Sequence, residues 1–386
     1  MKSQPNTITV QGRVLRFRNL GGILFIDVLS DDHEMRLVCR KDYTDIKDFT
    51  QLIKVKKNDF VCFEVDNAEN EQQIVRLYNH IPKIQDAFWS EEQIEIIKAY
   101  AYLINLLREY SLRNGYLEVR LPSIHYGQNK GEVFSFDFFQ HPARLTSSNA
   151  LFLNAYAVQL SKVFSLQKCF RAESSHTNRH LAEFDLFEVA MINYDLKSCM
   201  AEIELLIRFV VREFSKSDFA HMMRVDAGLI SRSSFPVFEY EQLEDRYELD
   251  NKGLGKYDRE IATNQPAFVI NFPREIASWM AKPLDNRYSL SFNLLVPLVG
   301  EIAEGNEKQT NLELLSKKFK MAKIATQLGW YTRMMPYSDF PLAGFGIGVE
   351  RLLMWILGLK NIRQINPIYR DTGFSEISTT KTGEQE

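Results

Sequence analysis

The sequence predicts an α+β protein in two parts, a small five-stranded β-barrel followed by a larger domain of mixed helices and strands. Three observations predict it. Short β-rich runs crowd the first 80 or so residues. The chain then turns to amphipathic helical stretches interleaved with strand-like runs. At 386 residues it is also too long for one ordinary core.

The elements follow in order. "ITVQGRVLRFRNLGGILFIDVLS" holds two β-runs around the turn Asn19-Leu20-Gly21-Gly22, and "MRLVCR", "DFVCFEVDN" and "QQIVRLYNHI" supply three more. Five short strands suggest a small closed barrel over 1–80, and the oligonucleotide-binding barrel is the commonest such unit. Arg13, Arg16 and Arg18 beside Phe17 and Phe25 suit a face that stacks bases and holds phosphates. The same arginines would equally solvate an edge strand. Residues 81–89 read as a linker. Ser90-Glu91-Glu92-Gln93 is a capping box that opens a long amphipathic helix through Leu112, starting a domain over 90–377. "YLEVRLPSI" follows as a strand broken at Pro122, and Cys199 to Ser215 is a second amphipathic helix. Strand-like runs come at Ala267–Phe272 and Tyr288–Val299, and a polar helical stretch from Glu307 to Leu328. Residues 378–386 are polar and expected to be disordered.

Composition excludes several classes. Net charge is −3, so contact with nucleic acid must come from a local patch. No run of about 18 apolar residues exists to span a membrane, and the N-terminus lacks the apolar core of a secretory signal. Cys39, Cys62, Cys169 and Cys199 are scattered, without metal-ligand spacing, as expected of buried thiols in a reducing cytoplasm.

Two stretches carry chemistry. "CFRAESSHTNRHLAEFDLFEVAM" reads as two β-runs joined by a polar turn. Phe184, Leu186, Glu188 and Ala190 share one face; Glu183, Asp185, Phe187, Val189 and Met191 share the other. Such a hairpin presents arginine forks for phosphate or carboxylate and a ring, Phe184, for a base. In "GFGIGVERLLMWILGLK", glycines at 344, 346 and 348 mark a backbone that approaches something closely or leaves strand geometry. The helix from about Val349 to Leu357 carries Arg351 in its first turn, where a cation opposes the helix dipole and suggests a bound anion.

In this order, a Pro-terminated strand, an FRAE…RHLxEF hairpin and GxGxGxxR resemble the three signature motifs of class II aminoacyl-tRNA synthetases. With the N-terminal barrel the chain resembles the aspartyl/asparaginyl/lysyl subgroup, and "RHLAEFDLFEVAM", "LLVPLVGEIAEG" and "GLKNIRQINPIYR" are most similar to asparaginyl members. The resemblance implies a mostly antiparallel sheet flanked by helices, and activation of an asparagine-like amino acid by ATP with transfer to tRNA. It implies Arg171 on the α-phosphate and the amino-acid carboxylate, and Arg351 on the γ-phosphate. Ala172, Glu173, Arg179, His180, Leu181, Phe184, Glu301, Gly348, Val349 and Glu350 complete the ATP site. Gln128, Ser148, Ala150, Glu188, Glu304 and Lys308 fall in the amino-acid pocket, with Mg2+ on Glu301 and Glu304. A homodimer is implied, with Pro122 at its interface, and the barrel's Arg13, Arg16 and Phe25 meet tRNA.

The amino-acid side departs from the family pattern. Gln128 stands where the family holds the α-ammonium with Glu, Ala150 where it has Gln, Asn293 where it has an acid, Lys308 where it has Arg and Leu342 where it has His. Glu304 replaces a small residue. Lys cannot reproduce a bidentate fork. A second expectation follows, of a paralogue that activates or amidates another carboxylic acid outside translation and exchanges weakly with asparagine.

Overall fold

The computed structural model describes residues 7–30, 33–68, 72–81, 89–126, 132–175, 177–232, 234–247, 249, 253–321, 325–335 and 340–373. Gln128, most of the expected linker and the C-terminal tail lie outside them. The chain divides into two compact units, Met1–Ser90 and Glu91–Glu386.

In the first unit β1 (Thr7–Asn19), β2 (Ile23–Ser30), β3 (His33–Arg40), β4 (Phe60–Ala68) and β5 (Gln72–Ile81) form one antiparallel sheet in the order β3-β2-β1-β4-β5. Among the described residues its edges β3 and β5 are not hydrogen-bonded to each other, so the expected barrel is partly open, as oligonucleotide-binding barrels are. The sequence reading missed the helix α1 (Ile46–Leu52), which Asp45 caps by accepting the Lys47 N–H. Phe49 and Leu52 of α1 join Val14, Ile26, Phe63 and Val75 in the core.

The second unit opens with α2 (Glu91–Arg113), β6 (Leu117–Glu118), β7 (Ile124–Tyr126), β8 (Ser135–Phe138), β9 (His141–Leu145) and α3 (Ala150–Leu160). The charged hairpin is β10 (Lys162–Phe170) and β11 (Glu183–Ile192), closed where the Arg171 N–H donates to the Ala182 carbonyl. Then come α4 (Leu196–Phe214), α5 (Ala227–Arg232), β12 (Val237–Glu239), α6 (Tyr240–Tyr247), α7 (Asp258–Ile261), β13 (Ala267–Ile270), β14 (Ser291–Val296) and β15 (Gly300–Glu307). Last are α8 (Leu312–Met321), α9 (Ala325–Met334), β16 (Leu342–Gly348) and α10 (Val349–Leu357). Helix α4 starts three residues before the expected Cys199, because Asp195 and Ser198 build a capping box there. The polar stretch read as one helix from Glu307 is the end of β15 followed by α8 and α9.

An eight-stranded sheet runs β12-β13-β14-β15-β16-β11-β10-β6. It is antiparallel except at its edges, where β12 pairs with β13 and β6 with β10 in parallel. Period-two alternation sends Phe187, Val189, Met191, Phe345 and Ile347 to one face, into the core with α2, α4 and α10. Burying these large side chains frees the opposite face for polar and glycine positions, and the site lies there.

Candidate active site

That face floors a cavity of about 360 Å³. Strand β11 contributes Phe184, Leu186 and Glu188, three of the four residues on the face that alternation predicts; the fourth, Ala190, is buried in an apolar cluster with Leu153. Its neighbour β16 contributes Gly344, Gly346 and Gly348, so the spaced glycines are a strand with a bare face rather than a break in strand geometry. A Cβ on Gly346 would stand 3.4 Å from Glu188 Cγ, on the cavity side. Glu304 and Asn306 on β15, and Lys308 just after it, alternate toward the cavity. Glu301, three residues before Glu304, ought to point away. It does not, because the pairing slips from Leu294–Ala303 to Leu295–Glu301 and leaves Ile302 as an extra residue that turns into the core.

Three guanidiniums converge on this floor. Arg171 faces Glu173 at 3.6 Å and lies 5.5 Å from the centroid of the Phe184 ring. Arg351 donates through Nε to the Arg179 carbonyl at 3.2 Å and through Nη1 to the Glu301 carbonyl at 3.1 Å. Burial, with Arg171 and Arg179 nearby, lowers its pKa against the pull of Glu301. Arg179 is held by Asp258 and by the Val299 carbonyl. His180, beside Ser175 and Thr177, is pushed down to about 4 by burial and the three arginines, so it is neutral near pH 7.

The other end is quieter. Glu188 accepts from Ser148 Oγ at 2.5 Å and from the Asn149 N–H at 2.8 Å, serving the orphan donors at the start of α3. Lys308 is buried and donates to Asn306 Oδ1 at 2.7 Å; burial lowers its pKa, opposed by nearby Glu304 and Glu188.

The structure brings together Ser148, Ala150, Arg171, Glu173, Arg179, His180, Leu181, Phe184, Glu188, Glu301, Glu304, Lys308, Gly348 and Arg351 around one cavity. It corrects other expectations. Val349 is fully buried in the core, and Ala172 gives its N–H to the Glu132 carbonyl, so neither lines the site. Leu342 shares the glycines' strand; its carbonyl accepts the Lys308 N–H, and its side chain packs beside Leu153 and Tyr331. Glu350 does line the cavity, with its carboxylate turned to the Asp185 N–H and the Tyr100 hydroxyl. Asn293 donates its amide to Glu301 Oε2 at 2.5 Å. In the first unit, Phe17 packs against the barrel core. A bulge at Leu15 aligns Arg13 with Arg16 and Arg18, the last directly across from half-buried Phe25. Tyr100, Asp185 and Asp258 were missed as supports. Asp185 lay on the face assigned to the core, and nothing local marks the other two.

Glu301 and Glu304 are the acids that the resemblance assigns to magnesium. Glu301 Oε2 takes the Asn293 amide and Oε1 faces Arg351 at 3.6 Å, and among the described residues no three metal-ligating side chains converge. Glu301's oxygens are already engaged and only Glu304's are open, and one open carboxylate does not make a protein-held dication site.

Residues 83–370 match the family model of class II tRNA synthetases (D, K and N). The chain belongs to that family of ATP-dependent ligases. It is 30% identical over 81% of its length to asparagine–tRNA ligase of Mycoplasma genitalium, covering 76% of that protein, and 31% identical to the Mycoplasma pneumoniae enzyme over 72% of its length and 70% of that chain. Among solved structures it resembles asparaginyl-tRNA synthetase from Pyrococcus horikoshii complexed with asparaginyl-adenylate, with a TM-score of 0.79, 24% identity and 96% of each chain covered. That likeness concerns the fold.

Proposed function

We propose that the chain is an asparagine–tRNA ligase. A carboxylate oxygen of asparagine attacks the α-phosphorus of ATP as the bond to pyrophosphate breaks; the terminal hydroxyl of tRNA then takes the acyl group and releases AMP. One observation carries the chemistry: Arg171, Arg179 and Arg351 meet over a floor with bare glycine positions. Such a site works by positioning and charge neutralisation. Arg171, partly exposed beside Phe184, bridges the substrate carboxylate and the α-phosphate. Arg351 and Arg179, anchored on carbonyls of β15 and its approach, face the departing phosphates.

The choice of asparagine rests on the curated relatives, at 28–31% identity, which carry that name. They weigh against an acid outside translation. Four free thiols and the family suggest a cytoplasmic homodimer; no helix among the described residues is long and apolar enough to cross a membrane. The face of Arg13, Arg16 and Phe25 is our candidate for the tRNA contact. ATP–pyrophosphate exchange with asparagine, followed by charging of tRNA, tests the proposal. Exchange that is absent with asparagine and present with another acid overturns it.

A further inference from the structure

A transverse row crosses the cavity floor. Glu188 on β11 pairs with Gly346 on β16, Gly346 with Glu304 on β15, and Glu304 with Asn293 on β14. Neighbouring strands lie about 4.8 Å apart, so the Glu188 and Glu304 backbones stand roughly 10 Å apart with bare Gly346 between them. The trough is open above the glycine and walled by a carboxylate on either side.

The acids around the cavity differ in what they already hold. Glu173 faces Arg171, Glu188 takes Ser148 and Asn149, Glu301 takes Asn293 and Arg351, and Glu350 takes Asp185 and Tyr100. Glu304 is exposed to the cavity and, among the described residues, has no hydrogen-bond or ion-pair partner. It also stands between cations, Lys308 four residues on along the same face and Arg171 across the floor. A zwitterion whose carboxylate reaches Arg171 carries its ammonium one carbon away, and Glu304 is the acid left to receive it.

We infer that Glu304 binds the α-ammonium of the amino-acid substrate, seating the substrate backbone over Gly346. This rests on the reading of the site as an amino-acid-activating one. The inference makes Glu304 a determinant of specificity: it admits α-amino acids and rejects the same skeleton without the amine. A carboxylate left unpaired costs far more than a missing contact, so the discrimination is large.

The test compares asparagine with succinamate, its deaminated analogue, in ATP–pyrophosphate exchange, for the wild type and for E304Q and E304A. Wild type favours asparagine. In E304Q the KM for asparagine rises about 10- to 100-fold, as for loss of a charge-assisted hydrogen bond. The preference over succinamate collapses by a similar factor, while the KM for ATP and half-saturation by Mg2+ stay within threefold. Calorimetric titration of both compounds into wild type and E304Q gives the same comparison without turnover. Unchanged discrimination overturns the inference, and so does a shifted Mg2+ requirement with an unaltered asparagine KM, which would make Glu304 a metal ligand. A wild type that prefers another amino acid, still by way of Glu304, overturns asparagine alone. A wild type that activates no amino acid overturns both.

Discussion

Glu350→Gln should abolish a pH dependence that the wild type carries between about pH 4.5 and 7. Glu350 is buried in the first turn of α10, where both its oxygens accept the Asp185 N–H, at 2.9 and 3.1 Å. The Tyr100 hydroxyl lies 2.9 Å from Glu350 Oε1 and 2.5 Å from Asp185 Oδ2, and Lys168 donates to Asp185 at 3.0 Å. Tyr100 has one proton for two carboxylates, so the second contact needs a proton on a carboxyl. Burial and the neighbouring Asp185 charge push Glu350 up to about 7 from an ordinary 4.5, against the pull of the Asp185 N–H and Lys168. The sign follows from proton counts. Between the two values the folded chain holds a proton that the unfolded chain has lost, so stability falls as pH rises and levels off above about 7. At ~1.4 kcal/mol per pH unit across that gap, the loss is roughly 3 kcal/mol. Gln keeps an acceptor for the Asp185 N–H and carries no charge. Chemical denaturation at pH 5 and pH 8 should therefore show wild type losing about 2.5 kcal/mol relative to E350Q. Parallel profiles for the two proteins would refute the shared-proton account.

Arg351→Ala removes a charge facing phosphate and strips the Arg179 and Glu301 carbonyls of a donor, so pyrophosphate exchange should slow by about 30- to 1000-fold, or ~2–4 kcal/mol; a rate within a few-fold of the parent removes the phosphate assignment. Phe25→Ala should weaken tRNA binding by about 1–3 kcal/mol and leave exchange intact, and filter binding at low salt measures it. Gly300→Ala places a side chain at φ +83°, in collision with Asp258 and Arg179, so thermal melting should fall and the KM for ATP should rise. A normal melting curve would show that the Arg179–Asp258 pair does not depend on that glycine.

Much of this was legible in the sequence because it depends on near neighbours. The alternation from Glu183 to Met191 separates Phe184, Leu186 and Glu188, which face the cavity, from Phe187, Val189 and Met191, which enter the core, since successive residues of any strand face opposite ways. The glycines at 344, 346 and 348 fall on one face for the same reason, and α10 begins and ends where its pattern does. The change of texture near residue 90 marks the division into two units.

What the tertiary structure decided is who holds whom. A single slipped pairing at Ile302 brings Glu301 to the same face as Glu304, and no local pattern announces a bulge. Val349 and Leu342 sit beside site residues in the chain, yet the packing of helices against the sheet takes both into apolar clusters. Glu350 meets Tyr100 from 250 residues away, and Arg179 meets Asp258 across 79, so their engagement is invisible to any window along the chain. Glu304 reads in sequence like the other acids. It is distinguished only when the fold has given each of those a partner, because whether a carboxylate is open to a ligand depends on which donors the folded chain brings within reach.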